Sequence, residues 1–348
     1  MKISLIHESA RVIRMLPLVA LLAGSLAYAH DGDKDLRGEP FSDPSYRVPM
    51  PSDWGKEPIT YDLWAEKEDA DIAVSLEQDV YNTILPLIRQ YAKQTGLKIA
   101  VKEGTCGIAA GMLAKKTVDI GGFCCPAGKE DRLPGLKYHT LGIVGKAFFV
   151  NPGNPIDSLT AKQLTDIYRG KIYRWSELKT SAGAPGPNLA IRAIARLHCQ
   201  LRPGHWRLML DNDKDFGPRM NEVGSVPDMI SQVSAHRDAL GWEVLVMLER
   251  YKDLGPVKPI KVNGVSANDP EAVASLRYPY YRVYNITTWE GKRLENAKAR
   301  KLVEYLIKEV ERLDPARYGF VSPGKLRKAG WKFSGDELSG EPALKEPK

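Results

Sequence analysis

Long apolar runs, tandem repeats and familiar catalytic signatures are all missing from most of this chain. Neither a G-x-S-x-G turn nor an H-E-x-x-H helix occurs in its 348 residues, so two common hydrolase machineries have no assembled nucleophile or base here. The charge balance is +7, which is mild and scattered. No stripe of Lys and Arg with interleaved aromatics is present, and nucleic acid is excluded as a partner on that ground. A weak positive field suits an anionic ligand or an acidic partner. After residue 29 no segment approaches the length of a membrane span. Cysteine is sparse, at four residues, and histidine numbers six.

What is present begins with the N-terminus. A basic start with Lys2, Arg11 and Arg14 leads into an apolar run over 15–26, closing on Ala27-Tyr28-Ala29. That is the small-x-small pattern of a signal-peptidase site, with the cut expected after Ala29. The expected mature chain, with a charge near +5, is exported to the periplasm or an equivalent space and is soluble. Residues 30–65 are polar and proline-rich and read as an extended leader. Residues 333–348 read as a flexible tail.

Between leader and tail, hydrophobic period alternates between two and about 3.6, which predicts an α/β fold with parallel strands. Strands are expected at 71–75, 97–104, 117–123, 137–145, 146–152, 190–197, 239–245 and 281–289. Helices are expected around Val80–Tyr91, over 107–116, at 161–170 behind Ser158 and Thr160 as capping signals, at 203–210, at 226–235 and at 296–313.

Export changes the reading of the cysteines. Two adjoin, in Gly121-Gly122-Phe123-Cys124-Cys125-Pro126, and the others are Cys106 and Cys199. In an oxidising compartment paired thiols become disulfides unless a metal holds them. Four cysteines allow three pairings, and the sequence does not choose among them.

Several motifs in order carry a resemblance. "GTCGIAAGMLAKKTVDIGG" resembles a Gly-Ser helix start followed by G-x-V-D-I-G. "VNPGNPIDSLTAKQLTDIYRGKIYRWSEL" resembles the long segment N-P-x-N-P…L-T-x-x-Q-L-x-x-I-F-x-G-K-I-x-x-W. "DALGWEVL" and "VNGVSANDPEAVASLRYPYYRVYNI" resemble two later landmarks. Together, over about 70–310, the chain resembles type 2 periplasmic solute-binding proteins of the phosphate-binding, PstS-like family.

The resemblance implies a two-lobed fold with a ligand cleft between lobes. Lobe one would be 66–150 plus 246–332, and lobe two 151–245. It implies a small anion such as phosphate as ligand, a monomer, an ABC transporter permease or a sensor as partner, and no catalysis. Three segments of the family's cleft fall here on Thr105-Cys106-Gly107, on Cys124-Cys125, and on the stretch from Arg196 through His198, Cys199, Arg202, Gly204 and His205. All four cysteines lie in these segments, where relatives place hydroxyls and a carboxylate. Thiols are poor hydrogen-bond donors, so the departure weakens a plain phosphate site. Thr105, helix-start N–H groups near Gly107 and Gly204, and Arg196 or Arg202 are the expected anion holders.

Four thiols and two imidazoles also suit a soft metal ion or an iron–sulfur centre. The candidate ligands are Cys106, Cys124, Cys125, His198, Cys199 and His205. Against this, adjacent cysteines are expected to point apart. Disulfide staples, a metal or cofactor centre, a thiol reaction with Cys199 beside His198, and thiols without a role all stay open. Elsewhere the expectations are structural: His139 as a strand residue, His236 as a helix cap, Asp119 as a buried carboxylate, Trp175 as packing, and His30-Asp31 as a solvated terminus. Trp206 is open between ligand and core.

Overall fold

The computed structural model describes residues 38–197, 206, 208–315 and 319–343. In chain order it begins with α1 (Leu63–Glu66), β1 (Ile72–Glu77), α2 (Gln78–Thr95), β2 (Ile99–Gly104), α3 (Cys106–Ala114) and β3 (Ile120–Phe123). Then come the long β4 (Leu136–Val150), β5 (Ser158–Leu159), α4 (Ala161–Tyr168), β6 (Arg192–Ala195), β7 (Asn221–Glu222), α5 (Val226–Ala235) and β8 (Ala239–Val244). Next are α6 (Leu245–Arg250), β9 (Lys258–Val262), α7 (Pro270–Ala274), β10 (Tyr281–Trp289) and α8 (Ala297–Glu309). The chain closes with β11 (Phe320–Val321), α9 (Pro323–Lys328), β12 (Lys332–Ser334) and β13 (Glu337–Gly340).

The main sheet runs β2-β1-β3-β10-β4-β8-β6-β7. β1 pairs in parallel with β2 and β3, and β6 with β7 and β8. β10 enters antiparallel between β3 and β4. β4 joins the two halves: Leu136 to Gly145 pair with β10, and Lys146 to Val150 with β8. Strands buried on both faces read as near-continuous apolar runs, and every residue of β1, β3, β8 and β10 is buried.

The helices follow their patterns. Val80, Ile84 and Ile88 are buried on one face of α2, each contributing roughly 1.5–3 kcal/mol by leaving water. Thr160 caps α4 by accepting from Gln163 N–H, and the Gln163 side chain accepts from Thr160 N–H, a reciprocal cap that explains the helix start. Ser158, expected to share that role, lies in β5 instead.

Three further expectations differ. The two strands expected at 137–145 and 146–152 are one, because the chain continues straight through Gly145 as pairing passes from β10 to β8. Gly142 has φ +151° and sits where the β4–β10 register shifts at Tyr284/Asn285. A Cβ there would lie 2.5 Å from the Val321 carbonyl oxygen, so glycine permits the bulge. The tail from 333 is also not loose where it is described. β12 and β13 pair, and Glu337 forms a buried ion pair with Arg132 at 2.7 Å. The helix expected at 203–210 lies mostly outside the described residues.

Candidate functional site

β1, β2 and β3 end side by side in Glu77, Gly104 and Phe123. Ligand sites in open α/β sheets lie outside such carboxyl ends. The residues just beyond these three strand ends are chemically unusual. After β1 comes Asp79, fully buried in the first turn of α2. The Glu77 carboxylate caps that helix by accepting from Asp79 N–H at 2.9 Å. After β2, Thr105 caps α3 by accepting from Ile108 N–H at 3.2 Å, and Cys106 opens the helix facing inward. After β3 come Cys124 and Cys125, both buried.

The three thiols converge. Cys106 Sγ lies 3.6 Å from Cys124 Sγ, and Cys124 Sγ lies 3.9 Å from Cys125 Sγ. All three sulfurs lie within 4.8 Å of one another. The adjacent pair therefore does not point apart, which corrects the expectation drawn from a regular strand. β3 ends at Phe123, and the chain turns before the pair. No disulfide joins these three to one another, the separations of 3.6 and 3.9 Å being far beyond the S–S bond length of about 2.05 Å.

Around the thiols lies a chain of buried charges. Arg282, on β10, donates through Nη1 to Asp79 and, at 3.4 Å, to Cys124 Sγ. Its Nη2 pairs with Glu243 of β8 at 2.7 Å. The other Glu243 oxygen accepts from Arg196 Nη1 at 2.8 Å. Lys146 of β4 is fully buried with its ammonium 4.6 Å from the Trp242 ring centre. Asn285 donates to the Cys125 carbonyl at 3.0 Å.

Burial dominates the proton affinities. It raises the Asp79 and Glu77 carboxyls, against the pull of Arg282. It lowers Lys146 to about 7, helped by Arg282 and opposed by Glu243 and Cys125. For Cys106, contact with Cys124 lowers the thiol, but contact with Cys125 and burial raise it further. The Cys124 thiol is raised by its contact with Cys106 and by burial. Strongly perturbed proton affinities cluster at functional sites, though structural ion-pair networks also produce them.

Among the residues anticipated from sequence, Cys106, Cys124 and Cys125 meet, and Arg196 reaches the same cluster through Glu243 and Arg282. Thr105 and Gly107 are exposed at its rim, and the Thr105 hydroxyl is engaged in capping. His198, Cys199, Arg202, Gly204 and His205 lie outside the described residues, as does His30. Asp119 accepts from Ala73 N–H at 2.8 Å and from Asn296 at 3.2 Å, a structural role. Trp175 is fully buried and donates to the Asp238 carbonyl. Trp206 is buried with its ring centre 6.0 Å from that of Phe216. His236 follows α5 as its C-cap. His139 is a buried strand residue between Thr288 and Asp336. A separate cavity of about 550 Å³, lined by Leu245, Leu248, Lys252 and Pro256 among others, contains none of the anticipated site residues.

Sequence reading missed Glu77, Asp79, Lys146, Glu243 and Arg282. A signal for three of them existed. Lys146, Glu243 and Arg282 each interrupt an apolar strand run, as in "GKAFFV", "GWEVL" and "YRVY". A charge inside a strand buried on both faces must be paired.

Residues 65–198 match the model of the PBP superfamily domain. Among solved structures, an ABC-type phosphate transport receptor from Vibrio cholerae is similar, with 22% identity and a TM-score of 0.54 over 72% of this chain and 99% of that one. A putative phosphate ABC transporter substrate-binding protein with bound phosphate, from Clostridium perfringens, aligns with 18% identity and a TM-score of 0.57, covering 72% and 99%. Residues 65–198 thus resemble a PBP superfamily domain, and the chain shares the α/β fold of these two phosphate-receptor structures.

Proposed function

We propose that this chain is an exported solute-binding protein. It captures a small ligand between lobes formed by 66–150 plus 246–332 and by 151–245, and passes it to an ABC transporter or a sensor. One observation carries the reading: strand ends from both halves of the sheet deliver ionisable side chains to a single buried cluster, linked as Asp79–Arg282–Glu243–Arg196. Buried charge of this density is costly, and a cleft that closes on a ligand is a physical reason to keep it. Lobe closure is the motion such a site requires. The signal-like N-terminus supports export, and no helix among the described residues is long and apolar enough to cross a membrane.

Phosphate is the ligand suggested by likeness. Its weakness lies in the arginines, since bidentate Arg is what holds an oxyanion. Asp79 and Glu243 already occupy Arg282, and Glu243 occupies Arg196. An oxyanion would compete with these carboxylates for the two guanidinium groups.

The test is to purify the mature protein from the exported fraction and identify what denaturation releases. Thermal shifts with inorganic phosphate, sulfate, zinc and copper(I) accompany it. One small solute per chain, or a shift with one of these, is the expected result. A solute-free protein indifferent to all four contradicts the reading.

A further inference from the structure

We infer that Cys106, Cys124 and Cys125 form a binding site for a single thiophilic metal ion, of the zinc(II) or copper(I) kind. The inference rests on the solute-capture reading and deepens it by naming the class of ligand.

Two of the three sulfur separations fit one ion, and the third lies within 4.8 Å. Thiolates around a single metal, at a metal–sulfur distance of about 2.3 Å, stand about 3.8 Å apart in tetrahedral geometry and about 4.0 Å apart in trigonal geometry. The Sγ separations of 3.6 and 3.9 Å match the edges of such a polyhedron.

The surroundings fit as well. Thiolates gathered in a buried place need compensating charge. Arg282 Nη1 lies 3.4 Å from Cys124 Sγ, and Lys146 is near enough to Cys125 for their charges to interact. Outer groups of this kind hold and tune metal ligands. An oxygen donor is also at hand. Carboxylate oxygens of Glu77 and Asp79 lie within 4.8 Å of Cys124 Sγ. Asp79 Oδ1 is a buried acceptor with no hydrogen-bond partner among the described residues.

Donor chemistry narrows the ion. Sulfur donors select zinc and copper(I) over magnesium or calcium. Each thiol that binds releases its proton to solvent, so binding strengthens as pH rises. No electron is transferred.

The experiment uses the mature chain, fully reduced under argon. Zinc(II) and copper(I) are each titrated against a chromophoric chelator, for the wild type and for Cys124→Ser, Asp79→Asn and His139→Gln. The expected result is one ion per chain for at least one metal. Cys124→Ser, which removes a direct ligand, weakens it by at least the roughly 10–100-fold that loss of an outer partner costs, and His139→Gln leaves it unchanged. Tighter copper(I) binding, insensitive to Asp79→Asn, identifies the three sulfurs alone as the site. Tighter zinc(II) binding, weakened by Asp79→Asn, adds the carboxylate as fourth ligand. X-ray absorption on the loaded wild type keeps the test decisive if Cys124→Ser fails to fold. Three sulfurs at about 2.3 Å support the site, and a shell of nitrogen and oxygen overturns it. Binding of neither ion, or equal binding by Cys124→Ser, also overturns it. In that case a shift with phosphate or sulfate would leave solute capture standing with a different ligand.

Discussion

β4 and β10 run antiparallel for most of their length and hold an ionisable cluster at each end. At one end Lys146 and Arg282 meet Asp79, Glu243 and the thiols, all buried. At the other, His139 accepts or donates to Thr288 at 2.8 Å and Asp336 at 3.2 Å, beside Lys137 and Glu290. The second cluster is ordinary. Its histidine is satisfied on both ring nitrogens, and the Asp336 side chain is 49% exposed, so little charge is desolvated. The first cluster buries several charges together, which hydrophobic residues of similar volume could replace at no loss of stability. Two clusters on one pair of strands therefore carry different meanings. The rim cluster is explained by folding, and the central one needs a function.

The largest expected effect breaks the central cluster. Arg282→Met leaves Asp79 and Glu243 without their shared cation, at a cost of about 3–5 kcal/mol. Chemical denaturation should show the midpoint shift, and an unchanged midpoint would show that the charges are not mutually dependent. Asp79→Asn should cost less, because Glu243 still holds the other side of Arg282. Equal losses in the two variants would place the energy in Asp79 alone.

Between the clusters, Gly142→Ala tests whether the bulge sets their relative positions. The new Cβ meets the Val321 carbonyl and the Phe320 ring at a positive φ, so the loss should exceed about 1 kcal/mol. A neutral result would mean the register can shift freely.

The smallest effect is at the rim. Burial holds the His139 imidazole below its usual range, with Asp336 and Glu290 opposing and Lys137 assisting. The folded state therefore takes up its proton at lower pH than the unfolded chain. Stability from this group is intact above about pH 6.5, the unfolded value, and declines as pH falls through that value. His139→Gln should flatten the thermal midpoint between about pH 7 and pH 5, within the usual acid range for histidine. A slope identical to wild type would assign the decline elsewhere.

Much of the scaffold was legible in residue order. The apolar run "IAVSL", the three- and four-residue spacing of Val80, Ile84 and Ile88, and the Thr160–Gln163 cap report local preferences that the fold keeps. Convergence of Cys106 with Cys124 and Cys125 was reached through resemblance, since only a shared fold brings separate strand ends together. The ionic chain was legible only as charges interrupting apolar strand runs at Lys146, Glu243 and Arg282, with nothing to name their partners. Arg282 and Asp79 stand 203 residues apart, and a single charge in a strand reads as alternation toward solvent. The merger of two expected strands into β4 was missed for a related reason. The break was expected after Gly145, and only pairing with β10 on one side of it and β8 on the other shows that the strand runs through.

The most direct measurement is the native mass of the mature protein, purified from the exported fraction without chelator or reductant. An excess equal to one thiophilic ion per chain, absent from Cys124→Ser, is the predicted result. A mass below the reduced chain by the hydrogens lost to a disulfide involving Cys106, Cys124 or Cys125 would contradict it.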